Sequence, residues 1–470
     1  MSVLQILILA VVAVLVNRLK QGRSLALLGV SALVIYWLQP YQEPVNLIFW
    51  FPTLTLALTV VFWLVTSTPE TRGWRRNWGA ATILLGVVVL VDLNRYFQVE
   101  HFFVSDTPRL QLVVVMLVGV VAVGFLLARV RKFHAFVFML AMVGLVAMLV
   151  FLKTPSALPG LIEAVASLRG KEAGDASTLS WLGFSYVSFR LLHTIIDRRA
   201  GRLPSVSLAE YVNYVIFFPS FSAGPIDRLE RFIHNLNEPI FPDPEGWMRA
   251  GARLFQGLFK KFVIADALAW FALSNAFALD VHSAGWMWIL LYAYSLRIYF
   301  DFSGYTDIAI GLGKLLGVQL PENFDAPYLK PNLTQFWNSW HMTLTQWFRS
   351  YFFNPLTRVL RSAKAPLPLP LMILITQVAT MALIGLWHGV TLGFLLWGIW
   401  HGAGLFIQNR WSEWMRTHTP AWGMTPRGAL LLKYSGIFLT FHFVTLGWLL
   451  FFLPNPAMAR DVLLRLFGAA

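Results

Sequence analysis

Long apolar runs recur from the first residues of this chain to the last, and no other feature constrains its fold so strongly. The first covers residues 3–16. Others lie at about 24–38, 49–65, 78–93, 110–128, 133–152 and 178–196, with later ones at 367–389, 391–407 and 430–454. Most approach the roughly 17–25 residues that a helix needs to cross a bilayer. Inside hydrocarbon only a helix or a closed barrel satisfies its own backbone, so runs of this length predict helices. The expected fold class is an all-α polytopic membrane protein. About 10–12 membrane helices are expected, with re-entrant or interfacial helices besides. Composition agrees: 57% of residues are hydrophobic and 13% charged, about half the charge of a soluble surface. A water-soluble monomer and a disordered chain are both excluded. The absence of cysteine excludes disulfides, thiolate metal sites and a cysteine nucleophile.

The net charge of +14 marks cytoplasmic loops in such a chain rather than nucleic-acid binding. Four alternate loops hold twelve basic residues, among them Arg18, Lys20, Arg72, Arg75, Arg131, Lys132, Arg198 and Arg202. The loops between them hold five: Arg95, Arg109, Lys153, Arg169 and Lys171. They also carry Glu43, Glu100, Asp106, Glu163, Glu172 and Asp175. The richer side is cytoplasmic, so the N-terminus is expected outside, with the 153–178 loop. No basic stretch precedes residues 3–16, so that run reads as a first membrane helix and not as a cleaved signal.

After residue 205 the apolar runs shorten and are broken by Pro, Gly and ionisable groups. Such backbone persists at membrane depth only inside protein or beside a cavity. The expected organisation is one membrane domain over 1–470. Residues 1–200 form peripheral scaffold, 205–410 a catalytic core, and 411–470 a C-terminal loop and last helix.

Four stretches carry candidate chemistry. Residues 333–352, LTQFWNSWHMTLTQWFRSYF, place Leu333, Phe336, Trp337, Trp340, Leu344 and Trp347 at the spacing of one helix face. Asn338 and Arg349 fall opposite, and His341 falls on the apolar face, where it is either a packed histidine or a functional one. In Gly385-Leu386-Trp387-His388-Gly389, His388 interrupts a long apolar run, and an ionisable residue at such depth is a functional hypothesis. Gly385, Gly389 and Gly393, four apart, suit the close approach of another helix. His401 has a similar context nearer a helix end and reads as structural. In residues 294–317, Arg297 and Asp301 stand at i, i+4 and can pair; Tyr305, Asp307 and Lys314 follow. In residues 217–232, Pro219, Gly224 and Pro225 break the helix before Asp227, Arg228 and Arg231. That loop either grips a carrier or headgroup or is a re-entrant turn with paired charges.

There is no Gly-x-Ser-x-Gly elbow, Walker loop or His-Glu-x-x-His. No two histidines stand at i, i+4, so a metal site has no support. Two buried histidines without a nucleophile motif suggest general-base attack of a hydroxyl on an ester or thioester. Asn338 and Trp340 are candidate donors to the developing oxyanion.

These motifs carry a resemblance. Residues 181–402, with PENFDAPYLKPNLTQFWNSWHMTLTQWFRSYFFNPL and GLWHG within them, resemble the membrane-bound O-acyltransferases. DFSGYTDIAIGLGKLLG is similar to the branch that acetylates alginate. FFPSFSAGPIDRLERF and WHMTLTQWFR are similar to the branch that transfers D-alanine to teichoic acid. The resemblance implies a ring of helices around a thin centre, with a funnel from each face meeting at the histidines. It implies His388 as general base and His341 as the second essential histidine. Trp337, Trp387, Asn338, Trp340, Asp301, Tyr305, Asp227 and Arg228 take supporting roles.

It further implies a bacterial inner-membrane enzyme. The enzyme would move an acyl group, acetyl in the leading reading, from a cytoplasmic thioester to hydroxyls of an extracytoplasmic polysaccharide. The donor would be acetyl-CoA or a phosphopantetheinyl carrier protein, with no permanently bound cofactor. The partners would be the bilayer, an extracytoplasmic acyl-transfer protein and, on the alanylating branch, the carrier, with no nucleic acid. Remote alternatives are a transporter and a non-catalytic scaffold.

Overall fold

A computed structural model describes residues 1–19, 21–40, 46–97, 107–129, 134–168, 180–238, 243–363, 367–418 and 425–469. Ten of the loop charges cited above lie outside the described residues: Lys20, Glu43, Glu100, Asp106, Arg131, Lys132, Arg169, Lys171, Glu172 and Asp175. Among the described residues every named element is a helix, and the one β pairing is an isolated bridge between Phe324 and Trp340. The chain divides into two units: Met1–Phe255 with Asp307–Pro321, and Gln256–Thr306 with Glu322–Ala470.

The first unit begins with α1 (Val3–Asn17), α2 (Arg23–Trp37), α3 (Asn46–Thr66), α4 (Trp74–Phe97), α5 (Leu110–Arg129) and α6 (His134–Lys153). These follow the apolar runs within a few residues. They are succeeded by α7 (Ala157–Leu168), α8 (Phe184–Arg199), α9 (Leu208–Ile216) and α10 (Leu229–Asn237). The segment read from sequence as the 153–178 loop therefore contains a helix of 12 residues. α11 (Pro244–Phe259) leads into the second unit.

Starts are fixed locally. Ser2 and Gln5 form a capping box on α1, and Ser207 with Glu210 another on α9. Each box supplies two of the orphan backbone bonds at a helix N-terminus.

Polar side chains in this unit tie segments distant in sequence together. Arg23 donates to the Leu236 carbonyl at 2.9 Å and also to that of Leu316. Arg253 pairs with Asp307 at 2.7 Å.

The second unit holds a π-helical turn over Lys260–Ala265, then α12 (Asp266–Ala269), α13 (Asn275–Asp280) and most of α14 (Ala284–Leu315). It continues with α15 (Leu333–Trp337), α16 (Met342–Phe348), α17 (Asn354–Arg361), α18 (Leu369–His388), α19 (Leu392–His418), α20 (Pro426–Phe452) and α21 (Pro456–Leu466). Proline in the first turn opens α18, α20 and α21, where its missing N–H leaves no bond unmade.

Glycine lets α18 and α19 touch. A Cβ on Gly398 would lie 2.6 Å from Ala382 Cα, and one on Gly402 would lie 2.6 Å from Val378 Cα. Gly385 answers from α18 against the Phe394 carbonyl. Gly393 faces the Leu450 carbonyl of α20 instead, at 2.8 Å from its ideal Cβ. The four-residue spacing thus serves two neighbours.

Among the described residues five helices are long and apolar enough to cross a membrane: Leu47–Thr66, Trp74–Phe97, Phe136–Lys153, Leu369–His388 and Pro426–Phe452. Val3–Asn17, Arg23–Trp37 and Leu110–Leu126 are apolar but shorter. The run at 178–196 becomes α8, which carries Arg190, His193 and Asp197 and is less apolar for it.

Candidate functional site

His341 stands at a break in the chain. The apolar spacing of residues 333–352 predicts one continuous helix with His341 on its apolar face. The structure instead ends α15 at Trp337, begins α16 at Met342, and turns π-helical over Arg349–Phe353. The cause lies outside the segment. Residues 323–326 pair with 339–343: Asp325 N–H donates to the Ser339 carbonyl at 3.0 Å, and Met342 N–H to that of Asn323 at 3.0 Å. The Asn323 side-chain oxygen accepts from Thr343 twice, from its N–H at 3.2 Å and its hydroxyl at 2.6 Å.

This joint holds His341 at φ 42° and Ala326 at φ 41°, left-handed conformations that non-glycine residues seldom adopt. Strain of this kind persists where surrounding bonds over-determine it. His341 is 3% exposed. Phe302 meets its ring edge-on at 4.7 Å. Burial, with His388 nearby, holds its pKa well below the usual value, so the imidazole stands neutral.

His388 is the last residue of α18. Its ring lies 4.7 Å from that of Trp387, and the same indole lies 6.3 Å from His341. The two histidines, 47 positions apart in sequence, therefore both lie against one tryptophan. Phe451 of α20 packs on His388 at 4.9 Å and Trp397 of α19 at 5.6 Å. Trp340 stacks at 5.6 Å on Phe336 and lies 5.3 Å from Trp448. Trp337 stands 5.8 Å from Trp397. His341, His388, Trp337, Trp340 and Trp387 thus belong to one continuous aromatic cluster.

Other expected residues stand apart from the histidines. Asn338 is exposed and accepts from Arg349 at 2.7 Å, so the amide expected to hold an oxyanion is engaged at the surface. Asp301 pairs with Lys261 of the π-helical turn at 2.5 Å, not with Arg297. Tyr305 follows it on α14, half-buried.

Asp227 and Arg228 belong to the first unit. There Asp227 pairs with Arg231 at 2.9 Å and accepts from the Arg228 N–H at 2.8 Å. Burial raises the Asp227 pKa against the pull of Arg231. These bonds tie two of the loop's charges, Asp227 and Arg231, to each other. Sequence reasoning passed over Asn323, Phe302, Trp397 and Phe451, because the contacts that single them out join segments distant in the chain.

A buried histidine, His341, and a half-buried one, His388, the latter at the end of an apolar helix, share a lining of rings in an all-α membrane protein. Comparison with known proteins supplies the family. Residues 130–443 match the profile of the MBOAT, membrane-bound O-acyltransferase family, and the chain belongs to that family. It is 32% identical over 294 residues to the teichoic acid D-alanyltransferase of Streptococcus thermophilus, covering 59% of this chain and 69% of that protein. It is 33% identical over 279 residues to the probable alginate O-acetylase AlgI of Pseudomonas aeruginosa, covering 59% and 50% respectively. To the peptidoglycan O-acetyltransferase of Helicobacter pylori it is 32% identical over 271 residues, covering 55% and 46%. The chain spans about half the length of these two acetylating relatives. The enzyme class is O-acyltransferase, in a multi-pass membrane protein.

Proposed function

We propose that this enzyme takes an acyl group, acetyl in the leading reading, from a cytoplasmic thioester and passes it to hydroxyls of an extracytoplasmic polysaccharide, alginate or a related envelope glycan. The observation that carries the reading is the placement of His341 and His388 against the same ring, that of Trp387. His388 accepts the proton of the acceptor hydroxyl as its oxygen attacks the thioester carbonyl. The C–O bond forms, the C–S bond breaks, and the departing thiolate takes up the proton as a thiol. A positioned base of this kind contributes roughly 10²–10⁴-fold. Neutral His341 orients the acyl group or the acceptor.

The donor is acetyl-CoA, or in the second reading the phosphopantetheine thioester of a carrier protein. An extracytoplasmic partner completes delivery to the polymer. The enzyme sits in a bacterial inner membrane with its N-terminus outside, a placement supported by the basic loops. The second reading, D-alanyl transfer toward a teichoic-acid-like polymer, is favoured by the larger share of the D-alanyltransferase that aligns.

Donor discrimination on purified protein tests both. Radiolabelled acetyl-CoA and a D-alanyl-loaded carrier are offered separately, with and without His388→Ala. His388-dependent label from acetyl-CoA is expected. Label from the carrier alone would replace the acetyl reading with the alanyl one. Label that survives His388→Ala would remove His388 as the base.

A further inference from the structure

Three side chains in the ring cluster bury their side-chain nitrogens without a hydrogen bond to any described residue. They are Trp337 through Nε1, Trp397 through Nε1 and His401 through both Nδ1 and Nε2. Trp337 is 5% exposed, Trp397 1% and His401 0%. The three rings touch one another. Centroids lie 4.9 Å apart for Trp397 and His401, 5.2 Å for Trp337 and His401, and 5.8 Å for Trp337 and Trp397. Trp397 in turn stands 5.6 Å from His388.

Buried polar atoms nearly always have partners, and each exception calls for an explanation. Edge-on packing offers an N–H at best an aromatic face, which is weaker than a carbonyl. Phenylalanine at 337 and 397 would keep the ring contacts without carrying an unbonded donor. Three such residues in mutual contact, one of them against His388, indicate nitrogens reserved for a ligand.

The inventory of atoms states what the ligand offers. An indole N–H only donates, and a neutral imidazole donates through one nitrogen and accepts through the other. The set is rich in donors, carries no formal charge and lies among apolar rings. It suits an uncharged oxygen and not an ion, whose desolvation needs a countercharge.

We propose that Trp337, Trp397 and His401 form a polar subsite beside His388 that receives an uncharged oxygen of a reactant, either the carbonyl of the acyl thioester or a hydroxyl of the acceptor. The proposal rests on the acyl-transfer reading above. On a carbonyl, the donors strengthen as negative charge builds on the oxygen in the transition state. On a hydroxyl, the accepting nitrogen of His401 fixes the direction of the O–H.

The test uses the full-length protein in detergent and the variants Trp397→Phe, Trp337→Phe and His401→Phe. Transfer from the active donor is followed alongside thermal unfolding. The two tryptophan variants are expected to lose about tenfold or more in kcat/KM. Their melting temperatures are expected to stay or rise, because deleting an unbonded buried donor removes no native bond.

A rise confined to the acceptor KM assigns the hydroxyl. A rise confined to the donor KM, or a fall in kcat alone, assigns the carbonyl. Transfer within twofold of the parent in both tryptophan variants would overturn the subsite, as would losses that track melting temperature. His388→Ala is run in the same assay. If it retains transfer while the phenylalanine variants lose it, the base assignment fails and the subsite stands.

Discussion

Arg190 of α8 and His401 of α19 are both buried, at 2% and 0% exposure, and their surroundings treat them in opposite ways. In the first unit the Arg190 guanidinium meets four acceptors. These are the carbonyls of Tyr214 at 3.2 Å, Val215 at 2.7 Å and Ser220 at 2.9 Å, and the Ser220 hydroxyl at 2.7 Å. The carbonyls of Tyr214 and Val215 end α9, where a helix leaves its last carbonyls without intrahelical partners, and that of Ser220 lies in the broken backbone beyond it. Tyr214 completes the brace by donating to the Asp227 carbonyl at 2.9 Å. In the second unit His401 bonds to no described residue through either nitrogen. Buried polarity is spent on backbone in one unit and kept for a reactant in the other. Substitution should therefore separate stability from transfer in the first case and reverse that separation in the second.

The largest expected effect falls on transfer. His341→Asn removes the imidazole while keeping a residue that tolerates the left-handed conformation at this position. Transfer should fall by about 10²-fold or more, with thermal unfolding little changed. Transfer within twofold of the parent would reduce His341 to a backbone device.

Arg190→Met should do the opposite. It leaves three carbonyls and a hydroxyl without their donor, and leaving a buried acceptor unsatisfied costs on the order of 1–3 kcal/mol. Unfolding in detergent should shift accordingly, and activity per folded molecule should hold. A shift worth less than about 1 kcal/mol would break the comparison at its first term.

Asn323→Ala tests the middle ground, since Asn323 braces backbone and that backbone carries His341. Two side-chain bonds from Thr343 are lost. Stability should drop by about 1–3 kcal/mol, and transfer by about tenfold, because a misplaced histidine weakens proton transfer. Equal transfer per folded molecule would show that the joint does not position His341.

The fold was largely legible because the signals for spanning helices are local. Runs of Val, Leu, Ile and Phe state their own length, and α3, α4, α6, α18 and α20 lie where the runs lie. His388 stands out for the same reason, as a single ionisable residue in an apolar run. The failures share another cause. His341 was placed by a local period, but its backbone is set by residues 323–326. Asp301 can pair by spacing with its i−4 neighbour Arg297, but its partner Lys261 lies 40 positions away. Asn338 showed an amide of the right type, and nothing nearby in sequence revealed that Arg349 engages it at the surface. His401 reads as structural from its sequence context, and its lack of a bond to any described residue is visible only once α15, α19 and α20 are packed.

The smallest expected effect is also the most selective. Ala326 shares the joint and its left-handed conformation, φ 41°, yet belongs to none of the groups proposed to meet a reactant. For an alanine that conformation costs about 1–2 kcal/mol, and glycine removes the cost while giving back about 0.5–1 kcal/mol in chain entropy. Ala326→Gly should therefore raise stability by up to about 1 kcal/mol and leave transfer as it was. A clear fall in transfer at unchanged or higher stability would mean that rigidity at the joint, and not only its bonds to Asn323, fixes His341. The division between bracing and reactive polarity would then run through the joint itself rather than between the two units.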